Sequence, residues 1–163
     1  MARRERRHET AMIDELLIFL EVDAETETLA STLSDLFAPR IDNIIEDFYN
    51  RLDKNGLSRR IPAEAISALK DKQKRHWLAL FRTQFGEEYC SHVRRIAIRH
   101  RDIGLNQSWY VASYASLKLA FIDTIMGSNL GPISKRKLIR TLEKYIAIDM
   151  ALALSTYEAI LLN

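Results

Sequence analysis

Ile96-Ala97-Ile98-Arg99-His100-Arg101-Asp102-Ile103-Gly104-Leu105, with Trp109-Tyr110 close behind, is the stretch that decides how this chain folds. Val93, Ile96, Ala97, His100 and Ile103 fall on one side of a helix, at steps of one and three residues. Arg94, Arg95, Arg99 and Arg101 crowd the other sides, which places solvent at the back of that helix. Gly104 ends it, as glycine often does after a helix. His100 is the polar intruder on the apolar side. Its neighbours one turn away, Ile96, Ala97, Ile103 and Gly104, offer its ring no side-chain partner. A buried polar group without a hydrogen bond costs about 1–3 kcal/mol. Something else must meet that nitrogen: a core partner from another element, or a ligand such as a planar iron cofactor.

The helical period continues on both sides. A short helix is predicted from about Thr10 to Glu21, carrying Met12, Leu16, Leu17 and Leu20 on one face, and a second from Ala24 to Phe37. Pro39 suits the first turn of a third, reaching about Leu52, in which Ile41, Ile44, Ile45, Phe48, Tyr49 and Leu52 form one apolar stripe. Asn55-Gly56 is a turn. The next helix runs from near Pro62 to about Phe85, with Ile66, Leu69, Gln73, Trp77 and Leu80 along one face. Ser108 is a candidate N-cap for a helix from Trp109 to about Met126. Gly127-Ser128-Asn129-Leu130-Gly131-Pro132 is the strongest break, and Ser134 is placed to cap a last helix. Its segment Ile146 to Leu154 is apolar on most sides, which asks for burial on more than one face, with a second subunit as the cover. The reading is an all-α chain of about seven or eight helices.

Composition narrows the function. A chain of 163 residues fits one domain with a core large enough to hold a ligand. A net charge of +2 gives no argument for nucleic acid, and the Arg3-Arg4-Glu5-Arg6-Arg7 run accounts for it as a solvated, disordered basic tail over residues 1–9. Cys90 is the single cysteine, so no internal disulfide forms, in keeping with a reducing compartment. No apolar run approaches the roughly 18–20 residues of a membrane span, and Asp14 and Glu15 interrupt any signal-peptide core. A cytoplasmic protein is expected. The four histidines, His8, His76, His92 and His100, form no zinc spacing, and Glu88 with His92 lacks a third ligand. No phosphate loop or activated nucleophile is present, so no catalytic residue is assigned.

An iron porphyrin needs a neutral imidazole nitrogen aimed into a pocket, apolar walls, and a far side that governs ligand chemistry. His100 has the position for the first. Phe48, Leu52, Leu69, Trp77, Val93, Ile96, Ile103 and Leu105 are candidates for the second. Tyr49, on an apolar face where its hydroxyl needs a partner, is a candidate for the third. Periodicity by itself favours reading His100 and Tyr49 as satisfied core residues.

Taken together, these stretches resemble the sensor globins of the globin-coupled sensor family, related to protoglobins. The likeness covers about Leu20 to the end. Asp42-Asn43-Ile44-Ile45-Glu46-Asp47-Phe48-Tyr49 is similar to the family's distal helix, and Gln73-Lys74-Arg75-His76-Trp77 with Leu80-Phe81 to its next pocket-lining segment. The strongest block is His100-x-x-Ile103-Gly104-Leu105 followed by Trp109-Tyr110 and Tyr114. The resemblance implies a globin-like fold binding haem b (iron protoporphyrin IX), with His100 as the proximal iron ligand and Tyr49 as hydrogen-bond donor to dioxygen. It places Phe48, Leu69, Gln73, Trp77, Val93, Ile96, Ala97, Ile103, Leu105, Tyr110 and Tyr114 around the cofactor, Tyr110 being the residue that responds to ligand binding. Lys72 falls near a variable distal position. Gln73 reads as a second donor or a pocket-edge residue, and His76 as a propionate contact or a helix bridge.

The resulting expectation is a gas-sensing globin domain over residues 1–163 that binds dioxygen, or carbon monoxide or nitric oxide, at ferrous iron. It would signal through a homodimer formed by its last two helices to an output module outside this chain. Two alternatives stand: a haem redox enzyme such as a nitric oxide dioxygenase, or a helical dimerisation module without cofactor.

Overall fold

The computed structural model describes residues 2–158, with side chains from Ala11 onward save those of Arg60, Tyr157 and Glu158. Among the described residues the regular structure is helical throughout: α1 (Ala2–Phe19), α2 (Ala24–Phe37), α3 (Ile41–Lys54), α4 (Ile66–Leu80), α5 (Glu87–Asp102), α6 (Gln107–Met126) and α7 (Pro132–Glu158), with two short 3-10 turns, Leu57–Arg60 and Ala63–Ala65, leading into α4.

Each helix starts and stops for a local reason. Asp23 caps α2, its carboxylate accepting from the Thr26 amide at 2.8 Å. The α3 stripe buries Ile41, Ile44, Ile45 and Phe48, while its outer charges bind α4 through Lys74–Asp42 and Lys70–Glu46. Two caps differ from the sequence reading. Asn106, not Ser108, caps α6, its side chain accepting from the Trp109 amide at 3.0 Å. The last helix begins at Pro132 rather than behind Ser134, because proline's fixed φ and missing N–H suit the first helical position. The 3-10 turn after Pro62 delays α4 to Ile66, and Phe81 closes it before Phe85. At the other end, α1 is helical from Ala2, where a tail was expected up to residue 9; alanine, arginine and glutamate are strong helix formers. The side chains of that stretch lie outside the described residues.

The core is an aromatic junction of α2, α4 and α6. Phe121 meets Phe37 at 4.4 Å, Trp77 at 5.5 Å and Phe81 at 5.9 Å between ring centroids. Helix α7 runs beside α5, α6, α2 and α1, and its Leu138, Leu142, Tyr145, Ile148 and Leu152 are all sealed. This revises the inference drawn from the Ile146–Leu154 segment. Ile146, Ile148, Leu152 and Ala153 are covered from within one chain, because four helices surround α7. Among the described residues, the large apolar side chains left exposed on α6, α7 and their connection are Trp109, Val111, Leu119 and Met126 of α6, Leu130 of the loop, and Ile133 of α7.

Candidate functional site

The block Ile103-Gly104-Leu105 is a helix stop with a defined geometry. Gly104 takes the left-handed conformation at φ 74°. Its amide donates to the Arg101 carbonyl at 2.8 Å, and the Leu105 amide reaches back to the His100 carbonyl at 3.0 Å. These two bonds make a Schellman motif, which satisfies carbonyls the helix would otherwise leave open. Only glycine takes that φ without a Cβ penalty. The chain then re-enters a helix at once through the Asn106 cap. The turn therefore sets His100, in the last turn of α5, against Tyr110, in the first turn of α6: their rings meet edge to face at 5.2 Å.

His100 Nδ1 lies 2.9 Å from the Ile96 carbonyl, which makes Nδ1 the protonated nitrogen and leaves Nε2 with its lone pair. Burial pushes the pKa of the ring below the usual histidine value, against the opposing pull of the Ile96 carbonyl. The imidazole is neutral at pH 7. A neutral ring held by Nδ1 with Nε2 available is the donor an iron porphyrin requires. The residues present fit that group.

On α3, Tyr49 is half-buried, and burial pushes its phenol up to about 12, so it keeps its proton and can donate. Phe48 stands edge-on to it at 5.7 Å, and the Lys70 ammonium of α4 sits 5.4 Å from the centre of its ring. Gln73 Oε1, His76 Nδ1 and Trp77 Nε1 are buried without hydrogen-bond partners among the described residues. At i, i+3 and i+4 they share one face of α4. The orphaned Gln73 atom is the amide oxygen, an acceptor, so it calls for a donor such as a water molecule.

The expected wall residues divide. Phe48, Trp77, Val93, Ala97, Tyr110 and Tyr114 are buried, and Leu69, Ile96 and Leu105 are half-buried. Ile103 stands apart at the end of α5 with 49% of its surface open, and Lys72 is exposed. Ring contacts gather His100, Tyr110, Tyr114 and Trp77 into one group, Tyr110 meeting Tyr114 at 5.1 Å and Tyr114 meeting Trp77 at 5.6 Å.

Sequence reasoning passed over one residue. Asp149 of α7 is completely buried. Its Oδ1 accepts from the Tyr89 hydroxyl at 2.6 Å, and its Oδ2 from the Tyr114 hydroxyl at 2.7 Å and His76 Nε2 at 3.0 Å. Burial alone would raise the Asp149 pKa, but His76 and the two phenols together hold it below the ordinary carboxylate value. Both phenols are in turn pushed well above theirs, by burial first and then by the carboxylate. His76 is thus a helix bridge, and its ring also stacks on Tyr89. The available signal was a lone carboxylate inside the apolar run Ile146 to Leu154.

An all-helical chain in which a neutral histidine ends one helix and is braced by the next has the organisation of a globin. The chain belongs to the Protoglobin family, whose model matches residues 9–162. It is 24% identical over 153 residues to the heme-based aerotactic transducer HemAT of Halobacterium salinarum. That match takes in 86% of this chain and 31% of the transducer, so the chain spans under a third of that relative's length. Its fold is similar to the globin domain of a Geobacter sulfurreducens globin-coupled sensor (TM-score 0.76, 17% identity, 88% of this chain and 96% of that one). It is equally similar to the ferric globin domain of E. coli DosC (TM-score 0.76, 18% identity, 89% and 99%). Among the described residues no helix is long and apolar enough to cross a membrane.

Proposed function

We propose that this chain is a haem-binding gas-sensing globin domain, with His100 Nε2 as the iron ligand. The observation that carries the reading is the pinned, neutral His100 ring: Nδ1 is committed to the Ile96 carbonyl and Nε2 keeps its lone pair. Ferrous haem b supplies an iron that binds dioxygen, carbon monoxide or nitric oxide. The chain does the rest. Val93, Ile96, Ala97, Leu105, Phe48 and Leu69 provide apolar surface that keeps water away. Tyr49, protonated at all physiological pH values, donates to bound dioxygen, and Gln73 is the second donor.

The transducer role of the Halobacterium relative supports sensing over turnover, with the signal passing to an output module. A homodimer through α6 and α7 is supported by exposed Leu119 (57%), Met126 (54%) and Ile133 (76%), and by an apolar depression between Met126, Leu130, Pro132 and Ile139. Such a domain works in the cytoplasm.

The test is spectroscopic. The purified chain with haem shows a Soret band that shifts on reduction and again with carbon monoxide. His100→Ala loses most of its haem, and free imidazole restores it. A chain that takes up no haem, or a His100→Ala variant that retains it fully, overturns the assignment.

A further inference from the structure

Asp149 contributes a carboxylate to a fully buried site on α7, and an ionised carboxylate can only accept hydrogen bonds. That restriction propagates. The Tyr114 hydroxyl has one proton, and at 2.7 Å it gives it to Asp149 Oδ2. In any hydrogen bond across the 3.4 Å between the Tyr114 and Tyr110 oxygens, Tyr110 is then the donor. The Tyr110 ring stands at 5.2 Å against His100. A line of contacts thus runs from α7 through two positions of α6 to the ring of the proposed iron ligand.

We propose that Asp149 is a positioning residue that sets the direction of the Tyr114–Tyr110 hydrogen-bond chain, and so couples the placement of α7 to the state of His100. The proposal rests on the reading of His100 as an iron ligand. A displacement of the His100 ring presses on Tyr110 and changes the weak Tyr110–Tyr114 bond. Tyr114 is held in turn by a carboxylate on α7. The chain works in reverse as well, since coupling between two sites is reciprocal. Tyr89 and His76 complete the carboxylate's coordination without touching the Tyr114–Tyr110 bond, and this separates the relay from mere support.

The experiment compares Asp149→Asn, Tyr114→Phe and Tyr89→Phe in the haem-loaded chain, reading the iron–histidine stretching band and the dioxygen off-rate. Asparagine keeps the shape but can present N–H to Tyr114, which then accepts and donates onward to Tyr110, reversing the chain. Tyr114→Phe cuts it. Both variants shift the stretching band and change the off-rate about two- to thirtyfold, the range that packed networks carry. Tyr89→Phe, which also removes a bond to Asp149, leaves both readings at the parent's values. In the haem-free chain, the hydroxyl proton shared by Tyr114 and Asp149 gives a slowly exchanging NMR signal that moves in Asp149→Asn and disappears in Tyr114→Phe. Equal shifts in Tyr89→Phe and Tyr114→Phe, or a stretching band unmoved by Tyr114→Phe, overturn the proposal while leaving the haem reading intact. A parent chain with no Soret band overturns both.

Discussion

Asp149→Ala is the substitution whose cost is best defined by the structure. It deletes the acceptor of three hydrogen bonds, at 2.6, 2.7 and 3.0 Å, inside a fully buried site. Each buried donor left without a partner costs about 1–3 kcal/mol. The three costs do not simply add. Tyr89 is only half-buried and can turn toward water, and Tyr114 can donate to Tyr110 instead. His76 fares worst, since its Nδ1 already lacks a partner among the described residues. The expected loss is about 3–5 kcal/mol, as for other broken buried charge networks. A domain of this size is stable by about 5–15 kcal/mol, so the variant folds with a much lower urea midpoint.

The pH profile adds a second signature. The Asp149 pKa is depressed in the folded chain, so its contribution is present above the unfolded value of about 3.9 and is lost as pH falls through the folded value. Urea denaturation of the haem-free chain between pH 7 and pH 3 measures both effects. The parent weakens more steeply than Asp149→Ala in the acid range. A loss under about 1 kcal/mol at pH 7, or parallel acid profiles, would refute the reasoning.

Three further outcomes follow from the site and its surroundings. Tyr49→Phe removes one donor and speeds dioxygen release about ten- to a hundredfold, the equivalent of roughly 1.5–3 kcal/mol; an unchanged off-rate in stopped flow transfers the donor role to Gln73. Gly104→Ala forces a Cβ into φ 74° and costs about 1–2 kcal/mol, together with a changed His100–Tyr110 ring contact; a stability equal to the parent's contradicts the Schellman assignment. Leu119→Lys with Ile133→Lys, both exposed in the single chain, converts a dimer to a monomer in light scattering while changing single-chain stability by less than about 0.5 kcal/mol per site. A dimer that persists places the interface elsewhere.

The helical architecture was legible because its apolar residues keep a strict period, clearest in the α3 stripe from Ile41 to Phe48. His100 was legible for a different reason: a polar ring on an apolar face must find a partner. Its Ile96 carbonyl contact was not visible in a list of side chains, since the partner is backbone. The Asn106 cap escaped because Ser108 nearby had similar capping chemistry, and the start at Pro132 because Ser134 offered a capping side chain where proline's fixed φ already begins the helix. Asp149 escaped for a deeper reason. Its three partners come from α4, α5 and α6, and nothing along α7 announces them. The same long-range packing seals Ile146, Ile148, Leu152 and Ala153 from within and leaves Ala147, Met150, Ala151 and Leu154 half-buried.

The Gly104 turn has a consequence for how the two sides of the site are assembled. His100 and Tyr110 are joined by a few residues whose turn is closed by its own backbone bonds, so bringing them together costs little chain entropy. Tyr49 depends on α3 docking against α4 and α6. Mutations that loosen the fold generally will therefore erode discrimination between ligands before they erode attachment of the cofactor. A weakened variant would still be coloured, yet would no longer hold one gas in preference to another.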